Sequence, residues 1–216
     1  MSDAYEFADL PLASLRPGTT VLVTGPAHVG TRNLGFQMLS GPPSEGSILI
    51  STNHRADRIA DDWARSGFEL VEDRAAILDC VGDEEADVPA RVLPVSGPSD
   101  LTGIGMRYSD VYRTFTETGI ERVRTGLFSV STLLSFGDLK TVSRFVHTLS
   151  GRIDAVDGIG MFFIDPGMHD DQTVSTVTQF CSARIDVRET ETGQELRARG
   201  IPGQSREWMD FDVRTE

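Results

Sequence analysis

Val21-Leu22-Val23-Thr24-Gly25-Pro26-Ala27-His28-Val29-Gly30-Thr31-Arg32 opens with an apolar run, then carries glycines at Gly25 and Gly30. An amphipathic segment from Arg32 to Leu39 follows. Strand, glycine loop and helix in that order are the setting of the phosphate-binding pattern G-x-x-x-x-G-K-[ST]. Both glycines keep the spacing of the pattern, but the residues that carry its chemistry differ. Thr31 stands where a lysine would hold a fixed positive charge on the β- and γ-phosphates. Arg32 stands where a hydroxyl would hold Mg²⁺. Threonine has no charge, and a guanidinium has no lone pair to offer a cation. The stretch predicts the outline of a nucleotide site without its working groups.

The rest of the chain alternates in the same way. Ile48–Ser51, Ala75–Cys80, Val92–Val95, Leu127–Ser131 and Gly160–Ile164 are apolar runs of strand length. Between them lie helical patterns. Ile59 and Trp63 share one face of a helix from about Ala56 to Arg65, and Gly67 suits its C-terminal cap. Ser99-Asp100 caps a helix whose inner face is Leu101, Ile104, Tyr108, Val111, Tyr112 and Phe115. Asp138 begins another, with Leu139, Val142, Phe145, Val146 and Leu149 inward, and a last helix spans Gln172 to Phe180. From Ala183 to Arg188 polar and apolar residues alternate, which predicts a strand with one wet face. Glu195–Arg199 and Trp208–Val213 are expected as two more strands, joined through turns at Glu191-Thr192-Gly193 and Pro202-Gly203. The pattern predicts a single α/β domain over 18–216. Its central sheet is mainly parallel, flanked by helices, with a C-terminal antiparallel extension. Residues 1–17 form a lead-in whose Leu10, Leu12 and Leu15 pack on the body.

Composition narrows the function classes. The 216-residue chain carries a net charge of −13, which argues against a nucleic-acid surface because phosphate contacts need a basic patch. Lys140 is its one lysine, and acidic residues are dispersed, with clusters at Asp61-Asp62, Asp83-Glu84-Glu85 and Asp170-Asp171. Such a surface is expected of a protein from a high-salt cytoplasm, where strong screening makes the charge tolerable. No apolar run approaches the roughly 18 residues of a membrane span. The acidic N-terminus lacks the apolar core of a signal peptide. Cys80 and Cys181 lie far apart among apolar residues, so small buried residues are expected there and not a zinc site.

With these elements placed, the chain resembles the RecA-like ATPases, and within them the archaeal KaiC-like branch. Gly25 to Leu39 is similar to the family's Walker A loop and helix. Ile48 to Asn53, with Gly67-Phe68-Glu69-Leu70 downstream, resembles its second strand and glutamate pair. Gly126 to Leu133 resembles its Walker B strand, and Phe180 to Arg206 its closing β-region. Ser99-Asp100-Leu101-Thr102-Gly103-Ile104-Gly105 resembles a segment of a haloarchaeal subgroup. The resemblance implies a P-loop NTPase fold of RecA type, and it places the groups that hydrolysis needs. Thr31 replaces the phosphate lysine, Ser129 takes the Walker B aspartate position, and Thr52-Asn53-His54 replaces the glutamate pair. Losing all three is hard to reconcile with a reaction that depends on positioning and charge. A pseudo-ATPase is therefore expected, not an enzyme. It would regulate or scaffold through a protein partner or self-association, with no cofactor. The alternatives are an ATP-binding switch without efficient hydrolysis, and a divergent hydrolase.

The hydrolase alternative has its own candidates. Asp79 and Asp165 end apolar strands at the edge where α/β sheets bind ligands. Asp79 could replace the missing water activator, while such a residue more often caps a loop or a following helix. His28, His54 and His169 fall in loops after strand ends and could converge with the two acids. Arg32, at a helix N-terminus, could retain a phosphate or pair with a carboxylate such as Asp79 or Asp165.

Overall fold

The computed structural model describes residues 4–26, 29–82, 86–191 and 193–212. The strands are β1 (Thr20–Thr24), β2 (Glu45–Ser51), β3 (Ala75–Asp79), β4 (Arg91–Pro94), β5 (Arg122–Phe128), β6 (Ile159–Ile164), β7 (Ala183–Thr190), β8 (Gly193–Arg199) and β9 (Met209–Phe211). The helices are α1 (Val29–Leu39), α2 (Ala56–Arg65), α3 (Leu101–Glu117), α4 (Val130–Phe136), α5 (Leu139–Asp154) and α6 (Asp171–Thr178). The strands make one sheet in the order β4-β3-β2-β5-β6-β1-β7-β8-β9. Pairing is parallel from β4 through β7, and antiparallel from β7 to β8 and β8 to β9.

The central strands are buried on both faces, as their unbroken apolar runs require. Two apolar layers result. One lies under α1, α2 and the lead-in, around Phe36, Trp63, Tyr5 and Leu15. The other lies under α3 to α6, around Ile104, Tyr108, Val146 and Phe162. The predicted inner faces of α3 and α5 both point into this second layer. The lead-in closes on itself through a two-bond bridge between Tyr5 and Leu15, N–O 2.7 and 2.9 Å, and the Tyr5 hydroxyl donates to the Asp157 carbonyl at 2.9 Å. Leu10 and Leu15 are buried and Leu12 is half-buried.

A buried cation fastens these parts together. Arg124 is 1% exposed, and its Nε lies 2.6 Å from Glu45 Oε2. It also donates to the carbonyls of Met38 and Glu6, both at 2.9 Å. One side chain thereby joins β5, β2, the end of α1 and the lead-in.

Two expected elements differ. The strand read over Leu127–Ser131 ends at Phe128, followed by a cis peptide to Ser129. Ser129 is the N-cap of α4, its Oγ accepting from Thr132 N at 3.3 Å. The apolar run Leu-Phe-Ser-Val-Ser fits strand or helix, and the capping serine decides for a helix. The last strand is only Met209–Phe211, because Trp208 lies outside it, under the guanidiniums of Arg188 and Arg197 at 4.1 and 4.4 Å.

Candidate functional site

The carboxyl ends of β1, β2, β5 and β6 meet α1 and α4 around a cavity of about 190 Å³. This is the edge on which open α/β sheets place ligands. Gly25, Thr31, Arg32, Asn53, His54, Ser129 and Asp165 all border it, so most of the predicted positions converge. Ile59, Phe128 and Phe163 line it as buried apolar groups, and the exposed Met168 borders it.

The two glycines are closed on by the protein itself. A Cβ at Gly25 would stand 2.6 Å from the Thr31 hydroxyl and 3.0 Å from Val187 Cβ. At Gly30 it would meet the Gln194 amide at 1.9 Å. Thr31 is buried, at 7% exposed. The two glycines therefore admit side chains from α1, β7 and β8. His28 lies outside the described residues.

Arg32 is committed elsewhere, and its partner is neither Asp79 nor Asp165. Its Nη1 lies 2.6 Å from Asp62 Oδ2 on α2. Its Nη2 contacts His54 Nε2. A guanidinium only donates, so Nε2 accepts and the imidazole is neutral with its proton on Nδ1. Burial pushes the His54 pKa below its ordinary value. The charges of Arg32 and Arg58 add to this, and Asp62 opposes it. Asp62 also receives Arg65 at 2.5 Å and Arg58 at 3.4 Å, so it anchors a cluster of guanidiniums.

β5 turns Phe128 toward α1, not Ser129. The Phe128 ring stacks on Phe163 at 4.1 Å and Phe36 at 5.7 Å. A Cβ at Gly35 would lie 2.5 Å from its tip, so only glycine lets α1 settle onto these rings. The residue facing the loop helix from this strand end is thus apolar, and Ser129 serves as a helix cap. Across the gap, Thr52 clasps the end of β5. Its amide donates to Phe128 O at 2.7 Å and its hydroxyl accepts from Ser129 N at 2.6 Å. Asn53 is exposed at the cavity rim.

Asp79, His54 and His169 do not converge. Asp79 is 2% exposed and does not border the cavity. Its Oδ2 accepts from Ala56 N at 2.7 Å, and its Oδ1 from Val81 N and Gly82 N, both at 2.8 Å. It is a cap for α2 and for its own loop. Asp165 caps the single 3-10 turn Pro166–Met168, accepting from Gly167 N at 2.8 Å, while its own amide donates to Ser131 Oγ. His169 follows that turn and does not border the cavity. Among the described residues no His, Cys, Asp or Glu group is arranged to hold a metal ion. Cys80 and Cys181 are free thiols, both pushed up to about 12 by burial.

Sequence patterns missed three participants: Asp62, Phe128 and Gln194. Asp62 had one legible signal, since Arg58 and Arg65 lie four residues before and three after it on one helix. Gln194 had none.

No helix among the described residues is long and apolar enough to cross a membrane. No curated protein matches the chain. Solved structures do. The KaiC-like protein PH0186 of the hyperthermophilic archaeon Pyrococcus horikoshii OT3 aligns with TM-score 0.62 at 15% identity, covering 89% of this chain and 84% of that one. The uncharacterized protein PH0321 of Pyrococcus horikoshii, solved in complex with an unknown peptide, aligns with TM-score 0.65 at 14% identity, covering 86% and 84%. Likeness at that identity establishes a fold, the RecA-like architecture of KaiC-like proteins. A family model matches residues 18–187, most of the sequence, and the chain accordingly belongs to the family of unknown function DUF7504.

Proposed function

We propose that this chain is a RecA-like domain without nucleotide hydrolysis that acts as a regulatory or scaffolding component through protein contacts. One arrangement carries the reading. At the sheet edge where phosphates would sit, Thr31 is uncharged and buried, Arg32 is tied to Asp62 and His54, and β5 presents the ring of Phe128. Phosphoryl transfer needs a free cation on the phosphates and an acid to hold the metal. Neither group is supplied by these positions. The cavity of about 190 Å³ is also below the roughly 300–1,000 Å³ usual for small-molecule pockets. A protein partner accords with the peptide bound to PH0321. The lysine-poor, acidic composition accords with a high-salt, haloarchaeal setting and a cytoplasmic location.

A second reading, a nucleotide-responsive switch, draws support from the intact glycine spacing and from Arg32 at the cavity wall. Thermal unfolding with millimolar ATP or ADP, with and without Mg²⁺, separates the two. A nucleotide at a hundredfold excess over its Kd adds about 2.7 kcal/mol, a rise of about 5–11 °C for a chain of this size. We expect no shift, and no phosphate release above background. A saturable, nucleotide-specific shift lost in Arg32→Ala would establish the switch instead. Multiple turnover would overturn both readings.

A further inference from the structure

α5 has a charge pattern unlike the rest of the chain. Its exposed side carries Lys140, Arg144, Thr148 and Arg152 at four-residue spacing. The chain's one lysine is therefore here, and no acidic residue occurs in the helix before Asp154. Neither Lys140 nor Arg144 has a carboxylate partner among the described residues. Arg152 spends one nitrogen on α3, where Nη1 contacts the Gly105 carbonyl and lies 3.2 Å from Ser109 Oγ. Among the described residues these three cations have no carboxylate in ion-pair contact, in a chain of net charge −13.

Beside this stripe runs a groove of about 470 Å³, where the start of α3 faces α5 from Thr141 to Arg152, with the Asp100 cap at its edge. Leu101, Met106, Phe145 and Leu149 line it. Met106 stands 63% exposed, while Phe145 and Leu149 are recessed at 9% and 1%. The glycines of α3 belong to this construction. Gly103 leaves room for the capping carboxylate of Asp100, which a Cβ would meet at 2.2 Å, and Gly105 lets Arg152 lie across α3, 3.0 Å from where a Cβ would stand.

We infer that this groove docks an acidic amphipathic helix of a partner protein, an inference that rests on the scaffolding reading above. Lys140 and Arg144 stand four residues apart, about 6 Å along the helix, and Arg152 follows eight residues on with Thr148 between. That spacing matches carboxylates at i and i+4 on an apposed helix, and the groove takes the apolar side chains between them. A membrane surface fits less well. A bilayer needs apolar groups projecting past the charges, and here most of them are recessed.

The test pans a phage-displayed library of random peptides of about 16 residues, roughly four helical turns, on the full folded chain. The enriched peptides should carry Asp or Glu at i, i+4 spacing with Leu, Met or Phe between. Their affinity, read by fluorescence polarisation, should fall at least about tenfold in Arg144→Glu and in Met106→Asp. Circular dichroism should show both variants folded. Lys140→Ala/Arg144→Ala should weaken binding without reversing a charge, which guards against misfolding of the reversal. The proposal is overturned by absent or non-acidic enrichment, or by peptides that bind wild type and Arg144→Glu alike. It is also overturned by binding to phosphatidylserine vesicles that enriched peptides fail to displace. ATP turnover would sink the inactive-domain reading and leave this result standing, whereas failed docking leaves the nucleotide result untouched.

Discussion

Asp79→Asn asks whether the buried acid at the end of β3 is a cap or a catalyst. In the native chain its carboxylate accepts from the backbone amides of Ala56, Val81 and Gly82. Asparagine keeps one oxygen. If that oxygen stays on Val81 and Gly82, the new amide nitrogen faces the Ala56 N–H, and that bond is lost. Hydrogen bonds to charged groups contribute about 1.5–3 kcal/mol, and neutral ones about 0.5–1.5. Losing one charged bond and converting two others to neutral therefore costs about 4 kcal/mol. For a chain of this length that is a fall in Tm of about 8–16 °C. The check is urea unfolding followed by circular dichroism, with phosphate release measured on the same preparations. A loss below about 1 kcal/mol refutes the capping account. So does a variant of native stability that abolishes a hydrolysis present in wild type.

Removing the buried cation by Arg124→Met leaves Glu45 uncompensated except for Arg122 at 3.0 Å, and should cost about 3–5 kcal/mol. Adding Glu45→Leu should recover much of it, and a double variant no better than the single contradicts the pair. For His54 the folded pKa lies below the ordinary 6.5, so the unfolded chain takes up its proton first. Stability should be full above 6.5 and decline as the pH falls toward the folded value, and a slope that persists in His54→Gln would assign it to another group. With a net charge of −13 the native state should also be weakened in dilute buffer, where the Debye length is about 30 Å at 0.01 M salt. A melting temperature indifferent to KCl would remove the high-salt interpretation.

Much of the fold was legible because buried parallel strands read as apolar runs and amphipathic helices as 3.6-residue faces. β1, β2, β3 and β6, and the inner faces of α3 and α5, follow from those two periods alone. Local capping was legible too, at Asp100 and Asp138. What failed was local ambiguity and long range. Leu127–Ser131 carries no period that separates strand from helix, so the end of β5 at Phe128 was not legible. The partner of Arg32 sits 30 residues away, on a helix whose orientation no pattern gives. Gln194 reaches Gly30 only because the β7–β8 hairpin folds back beside β1, a tertiary event with no sequence period.

The position of β1 has a consequence for how the molecule is made. The first strand of the chain is hydrogen-bonded to β6 and β7, across register pairs such as Thr20 with Gly160 and Val21 with Ala183. A nascent chain that has not reached Ile159 therefore leaves β1 with no neighbour on either side. Such distant pairings delay folding, since a long loop must close before any contact rewards it. β1, and with it the position of Gly25, is fixed only once the chain through β7 has been made.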